Sequence, residues 1–200
     1  KKIPFEEALA AGKIEYIGEE TVSAFIEDVY KESILGKPAD NLKIVYTPLN
    51  GSGKMCVLRI LDKIGVKDVT VVPEQSEPDG NFPTCPYPNP EIREALQKGL
   101  ELCETVKPDL LLATDPDCDR VGIACMTESG PRLLNGNQIG CILLHYILSQ
   151  KKERGELPAN AAAVTTIVST DMAAAIAKSF GCEMIEVLRL QVHRRADPPL

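Results

Sequence analysis

The chain has no Cys-x-x-Cys pair, only two histidines and no excess of positive charge. Each shortage removes a class of protein. Its seven cysteines stand singly at 56, 85, 103, 118, 125, 141 and 182, an odd number in mostly apolar settings. Neither a disulfide framework nor a zinc ribbon is expected, and the thiols read as reduced, in a cytoplasmic protein. His145 lies in an apolar helical stretch with no acid or thiol at ligand spacing, so a structural place is expected for it. The net charge of −7 argues against a nucleic-acid partner. It does not argue against an anionic ligand, because a divalent cation and a few arginines reverse the sign locally. No apolar run approaches membrane-spanning length and no leader pattern opens the sequence, so a membrane partner is not expected either.

What is present is enough apolar material for sizeable cores, 44% of 200 residues, in one large or two small domains. Residues 1–12 read as a short acidic helix stopped at Gly12, 13–17 as a short strand, and 19–34 as a helix with Val22, Phe25, Ile26, Val29 and Tyr30 at helical spacing. A strand is expected over 42–46, a Gly-rich turn over 47–53, a helix to Ile64 ended by Gly65, and a strand over 69–72. This β-turn-α-β unit points to a mainly parallel sheet. The turn is not a Walker A loop: Pro48 stands where the first glycine belongs and Met55 where Ser or Thr belongs. It either presents amides to an anion at the helix N-terminus or uses glycine for sterics alone.

Residues 74–91, rich in Pro, Asp, Gly and Asn, form a long loop, which in a compact domain is functional or mobile, or else a proline-stiffened surface segment. A helix over 91–106 follows, capped by Asn89. After a turn at 127–131, a helix over 138–154 with Asn137 as cap, a strand over 161–168, a Ser169-Thr170 cap, a helix over 171–180, Gly181 and a strand over 183–187 repeat the order seen from 42 to 72. Two related α/β domains in tandem account for that repeat.

The stretch from Leu110 to Ala124 organises the chain. An apolar strand enters, Asp115, Asp117 and Asp119 follow at every second position, Arg120 closes the set, and a second apolar strand leaves. In an extended loop, residues two apart point the same way, so the three carboxylates are expected to converge, with Pro116 stiffening the loop. Three such acids repel one another unless a cation sits between them, and hard oxygen ligands suit Mg²⁺. Arg120 offers a planar fork for a phosphate. A solvated Asp-Pro-Asp turn is the bland alternative. An EF-hand loop is excluded, because Arg120 and Met126 occupy the places of its Gly and Glu.

Asp-Pro-Asp-x-Asp-Arg after a hydrophobic strand resembles the metal loop of the α-D-phosphohexomutases, the phosphoglucomutase/phosphomannomutase family. Tyr46-Thr47-Pro48-Leu49-Asn50-Gly51-Ser52-Gly53, Val72-Pro73-Glu74-Gln75, Pro78-Asp79-Gly80-Asn81-Phe82-Pro83, Pro88-Asn89-Pro90-Glu91 and Leu134-Asn135-Gly136-Asn137-Gln138-Ile139-Gly140 resemble it too, in family order. The resemblance implies tandem α/β/α domains with mainly parallel mixed sheets. It implies a metal-loop domain over 1–128 (the family's second), a truncated sugar-binding domain over 129–188 (its third) and an aberrant tail over 189–200. It implies Mg²⁺ on Asp115, Asp117 and Asp119, Arg120 on the transferring phosphoryl group, and Asn50, Gly51, Ser52, Asn81 and Asn137 near the substrate. The motifs are most similar to members that interconvert glucose 1-phosphate and glucose 6-phosphate through a phosphoserine; phosphomannomutase or phosphopentomutase activity in the parent stays open. The family's phosphoserine lies in a Ser-His-Asn-Pro loop, and this chain has no Ser-His pair. The first and fourth domains of the parent are missing partners, so the chain alone is expected to be inactive. A non-catalytic metal- or phosphate-binding remnant is the rival reading, and a different phosphate enzyme built on an Asp cluster is another.

From Leu188, glucose-type members resemble Thr-Gly-Phe-Lys-Tyr-Ile-Gly-Glu, whereas this chain continues Arg189-Leu190-Gln191-Val192-His193-Arg194-Arg195-Ala196-Asp197. Codons chosen for these nine residues, read one frame over, spell Gly-Phe-Lys-Tyr-Ile-Gly-Glu-Gln, with part of a Thr codon before and of an Ile codon after, completed by bases outside the nine. The tail is therefore expected to be a frameshifted reading of the sugar loop.

Overall fold

The structure, a computed structural model, describes residues 2–34 and 38–188; the tail at 189–200 lies outside the described residues. Strands β1 (Lys43–Thr47), β2 (Asp68–Val71), β3 (Leu110–Thr114), β4 (Val121–Thr127) and β5 (Gly130–Leu134) form one sheet in the order β2-β1-β3-β4-β5. β1 runs parallel to β2 and β3, and β3-β4-β5 is an antiparallel meander. The apolar runs of β1 and β3 are buried on both faces, as expected for strands at the centre of a layered sheet. Period-two alternation divides them between two cores. Val45, Leu111 and Ala113 pack with Leu96, Leu100 and Cys103 of the α4 side (α4, Gln97–Val106). Ile44 and Tyr46 pack with Leu61 and Val66 on the side of α3 (Lys54–Lys63). Each fully buried aliphatic side chain contributes about 1.5–3 kcal/mol by leaving water.

This arrangement fixes where a site can form. The chain leaves β1 through α3 to β2 on one flank, then returns through α4 to β3 on the other flank of β1. β1 and β3 are neighbouring parallel strands, so the loops that follow them lie side by side at the same edge of the sheet. The Gly-rich turn and the acidic loop are those two loops.

A second sheet pairs β6 (Ala162–Thr166) with β7 (Glu183–Val187) in parallel, and α5 (Gly136–Glu153) and α6 (Asp171–Ser179) pack on it around Leu148, Ala177 and Cys182. The repeat of strand, turn, helix, glycine and strand is as expected: Thr170 caps α6, and Gly181 has φ 78°. The expected division after residue 128 falls in the two-residue turn between β4 and β5, and β5 is hydrogen-bonded into the first sheet. All seven cysteines are free thiols. None of the helices is long and apolar enough to cross a membrane, among the described residues.

Several local expectations need correction. Residues 13–17 are not a strand. Among the described residues no partner strand lies beside them, and Tyr16 and Ile17 stay exposed. The first helix, α1 (Phe5–Ala10), and the second, α2 (Glu19–Lys31), are both shorter than their patterns. The helix expected from 91 starts at Gln97, and a run of single turns over 89–97 precedes it. Asn89 does accept the Glu91 amide, at 3.0 Å. The cap of α5 is Asn135 rather than Asn137: Asn135 and Gln138 form a reciprocal capping box.

Candidate functional site

The acidic loop joins β3 to β4 beside the Gly-rich turn that follows β1. It is a tight turn, not the extended segment expected, since the Cys118 amide donates to the Asp115 carbonyl at 3.0 Å and Cys118 sits at φ 61°. The carboxylates still converge. One oxygen from each of Asp115, Asp117 and Asp119 lies within 4.8 Å of the others. The turn achieves this through Asp115, whose Oδ1 accepts the amides of Asp119 (3.0 Å) and Arg120 (2.9 Å), pulling the far end of the loop back over its start.

Asp115 is fully buried, whereas Asp117 and Asp119 are exposed. Its Oδ2 accepts Arg120 Nε at 2.7 Å. Burial works against ionisation of Asp115, but the Arg120 amide, the Arg120 guanidinium and the Asp119 contact outweigh it and hold this carboxyl below the usual range. Asp119 moves the other way: its contact with Asp115 and the charge of Asp117 push it up. Arg120, held mainly by Asp115, stays firmly protonated, with its side chain about half exposed. Three acids thus face one guanidinium, and the surplus of negative charge on hard oxygens is what a divalent cation such as Mg²⁺ would take up. Asp115, Asp117 and Asp119 fit as its holders.

The expected substrate residues divide. Gly51 and Ser52 abut the acidic loop: the Ser52 amide and Oγ both donate to the Pro116 carbonyl, at 2.9 and 3.1 Å. Asn50 is buried at φ 56° and binds the next loop, donating from Nδ2 to the carbonyls of Glu74 (3.3 Å) and Glu77 (2.9 Å). Its Oδ1 is buried without a hydrogen-bond partner among the described residues. Asn81 folds onto Asp79, and Asn137 Oδ1 accepts the Thr170 amide at 3.2 Å. Among the described residues, no hydrogen bond ties Asn81 or Asn137 to the acidic loop. His145 stacks edge-on against Phe180, a structural place.

The sequence reading missed the supports. Tyr46 Oη and Thr114 Oγ1, at the carboxyl ends of β1 and β3, are hydrogen-bonded at 2.9 Å next to Gly53. Burial pushes the Tyr46 phenol up to about 12. Gln75, fully buried, receives Thr47 Oγ1 at 2.7 Å and donates to Thr84 and Ala95, which fastens the long loop. Glu91 Oε1 accepts the Gly136 amide at 2.9 Å and links that loop to α5. A polar residue within an otherwise apolar strand end, as at Thr114 and Thr47, was the available signal.

The fold and site together define an α/β domain pair carrying an acidic loop at the carboxyl ends of two neighbouring parallel strands. Residues 23–130 match the family described as phosphoglucomutase/phosphomannomutase, alpha/beta/alpha domain II, and residues 135–189 match its alpha/beta/alpha domain III. The chain belongs to the phosphoglucomutase/phosphomannomutase family and covers its second and third domains. It is 33% identical over 190 residues to a phosphoglucomutase of Staphylococcus saprophyticus, covering 94% of this chain and 34% of that protein. It is 39% identical over 151 residues to a phosphoribomutase of Saccharomyces cerevisiae, covering 70% and 24%. A family protein from Burkholderia thailandensis has the same fold, with TM-score 0.64 at 21% identity over 90% of this chain and 37% of that one. The chain thus spans about a third of the length of the relatives it matches.

Proposed function

We propose that this chain is the metal-loop part of a phosphohexomutase, an intramolecular phosphotransferase that interconverts glucose 1-phosphate and glucose 6-phosphate. The observation that carries the reading is the convergence of three carboxylates beside Arg120 at the carboxyl end of β3. Phosphoryl transfer asks a protein for positioning and charge neutralisation more than for covalent help. Bound Mg²⁺ would supply a Lewis acid for phosphoryl oxygens. Asp115, Asp117 and Asp119 would hold it. Asp115 also fixes the Nε of Arg120, which leaves the guanidinium's terminal nitrogens for a phosphoryl group. The phosphoserine, which gives its phosphoryl group to a hexose phosphate and recovers the other phosphate from the bisphosphate, belongs to the parent's first domain. The non-reacting phosphate belongs to its fourth.

On this reading the chain divides as 1–128 and 129–188, with a frameshifted tail over 189–200 that resequencing of the source DNA tests. The chain alone binds Mg²⁺ weakly, works in the cytoplasm as part of its parent, and does not turn over glucose 1-phosphate. Isothermal titration tests the centre: Asp117→Ala should abolish Mg²⁺ binding. Unchanged binding would refute the metal role and favour a remnant in which the loop is structural. Turnover of glucose 1-phosphate by the pure chain would refute the division of labour.

A further inference from the structure

We propose that the glycine turn Gly51-Ser52-Gly53 is the mould of the acidic loop and that Ser52 is its positioning residue; this rests on the reading that the loop takes a divalent cation. The loop alternates. Its odd residues, Asp115, Asp117 and Asp119, send carboxylates to one point. Its even residues 116 and 118 face the glycine turn. A Cβ on Gly51 would lie 2.3 Å from Pro116 Cα and 2.5 Å from its carbonyl oxygen, both backbone atoms with no room to yield. A Cβ on Gly53 would lie 2.7 Å from Cys118 Sγ, 2.9 Å from Thr114 Oγ1 and 3.0 Å from Tyr46 Oη. Between these two contacts Ser52 donates twice to the Pro116 carbonyl. Proline has no amide hydrogen, so that carbonyl is the only backbone group by which residue 116 can be held by hydrogen bonds.

The physical need is plain. Three carboxylates within 4.8 Å repel one another, and a loop free to splay would separate them before a cation arrived. The turn is itself braced: the Gly51 amide donates to the Pro48 carbonyl at 2.9 Å, and the Asn50 amide and carbonyl bond Gln75 and Asp79. Holding the even face therefore keeps the odd face assembled, and the ordering cost of metal binding is met in advance. The glycines serve close approach, and their contribution to binding passes through the loop rather than through contact with the sugar.

The test uses the full 200-residue chain and Mn²⁺ as the probe, with free Mn²⁺ read by electron paramagnetic resonance. Ser52→Ala should weaken Mn²⁺ binding roughly 3- to 10-fold, the factor one net hydrogen bond contributes, with the metal-free melting midpoint lowered by only about 2–4 °C. Ser52→Thr keeps the hydroxyl and should restore binding to within about twofold of wild type. Gly51→Ala should weaken it further, and if that variant does not fold, Ser52→Ala and Ser52→Thr decide alone. Wild-type binding in Ser52→Ala, or a Ser52→Thr as weak as the alanine variant, overturns the positioning role while the metal reading stands. A wild-type chain that takes up no Mn²⁺ overturns the metal reading and this inference with it.

Discussion

Asp115→Asn, measured without metal, probes the charge that folds the acidic loop. Wild-type Asp115 accepts three hydrogen bonds in a fully buried position, two from backbone amides on Oδ1 and one from Arg120 Nε on Oδ2. Asparagine keeps one oxygen. In its better orientation that oxygen still receives both amides, and the new NH₂ group faces Arg120 Nε, donor against donor. The loss is one charge-assisted bond, about 1.5–3 kcal/mol. Arg120 is half exposed and can turn its Nε to water, which places the expected loss near the lower end, about 2 kcal/mol. Urea denaturation at pH 7 without metal measures it. The pH dependence gives a second readout. The Asp115 carboxyl is depressed in the folded chain, so its contribution is present above the ordinary aspartate value of about 3.9 and disappears as pH falls through the lower folded value. The gap between wild type and Asp115→Asn should therefore hold constant from pH 7 to about 4 and close below that. Asp119→Asn should act in the opposite direction, raising metal-free stability, because Asp119 is a carboxyl pushed up by its neighbours. A loss under about 0.5 kcal/mol for Asp115→Asn, within the range of surface substitutions, would refute the idea that this residue organises the loop.

Other parts of the fold make separate predictions. Mg²⁺ in excess should raise the thermal midpoint of the wild-type chain and leave Asp117→Ala unmoved, since only a ligand that binds the folded state shifts it. Tyr46, with its phenol pushed up to about 12, should give a tyrosinate absorbance component at 295 nm that rises only near that pH. Because the unfolded phenol ionises near 10, stability should fall as pH rises from about 10 to 12, by on the order of 2–3 kcal/mol. Gly122→Ala should cost about 3 kcal/mol in urea melts, because its Cβ would sit 2.1 Å from the Pro90 carbonyl oxygen in a buried strand. Asn135→Ala removes half of the α5 capping box and should cost about 1 kcal/mol by the same assay, with Asn137→Ala leaving the helix start intact.

Much of this molecule was legible in local pattern. The acidic loop, the strands on either side of it, the stop at Gly65 and the whole unit from β6 to β7 follow from hydrophobic periodicity and caps, which act over a few residues and leave their mark in the sequence. The order of motifs alone also identified the family. The sequence could not say that residues 13–17 lack a partner strand, because an apolar alternation is a strand only when another strand lies beside it. It could not choose Asn135 over Asn137, two caps whose fitness depends on which direction the chain enters from β5.

The site shows the same division. The choice of aspartate, proline and arginine, with carboxylates at every second place, was written in residues 115–120 and determined that an acidic loop would form there. The tertiary structure decided how. It put Asp115 in the interior, turned Arg120 back onto it, and set the glycine turn against Pro116 across 64 residues of sequence. Those contacts exist because β1 and β3 are neighbouring parallel strands, whose carboxyl ends bring two remote loops to one edge of the sheet. A spacing of two residues can be read from a sequence; which backbone atom lies behind a missing Cβ depends on the sheet that carries both loops.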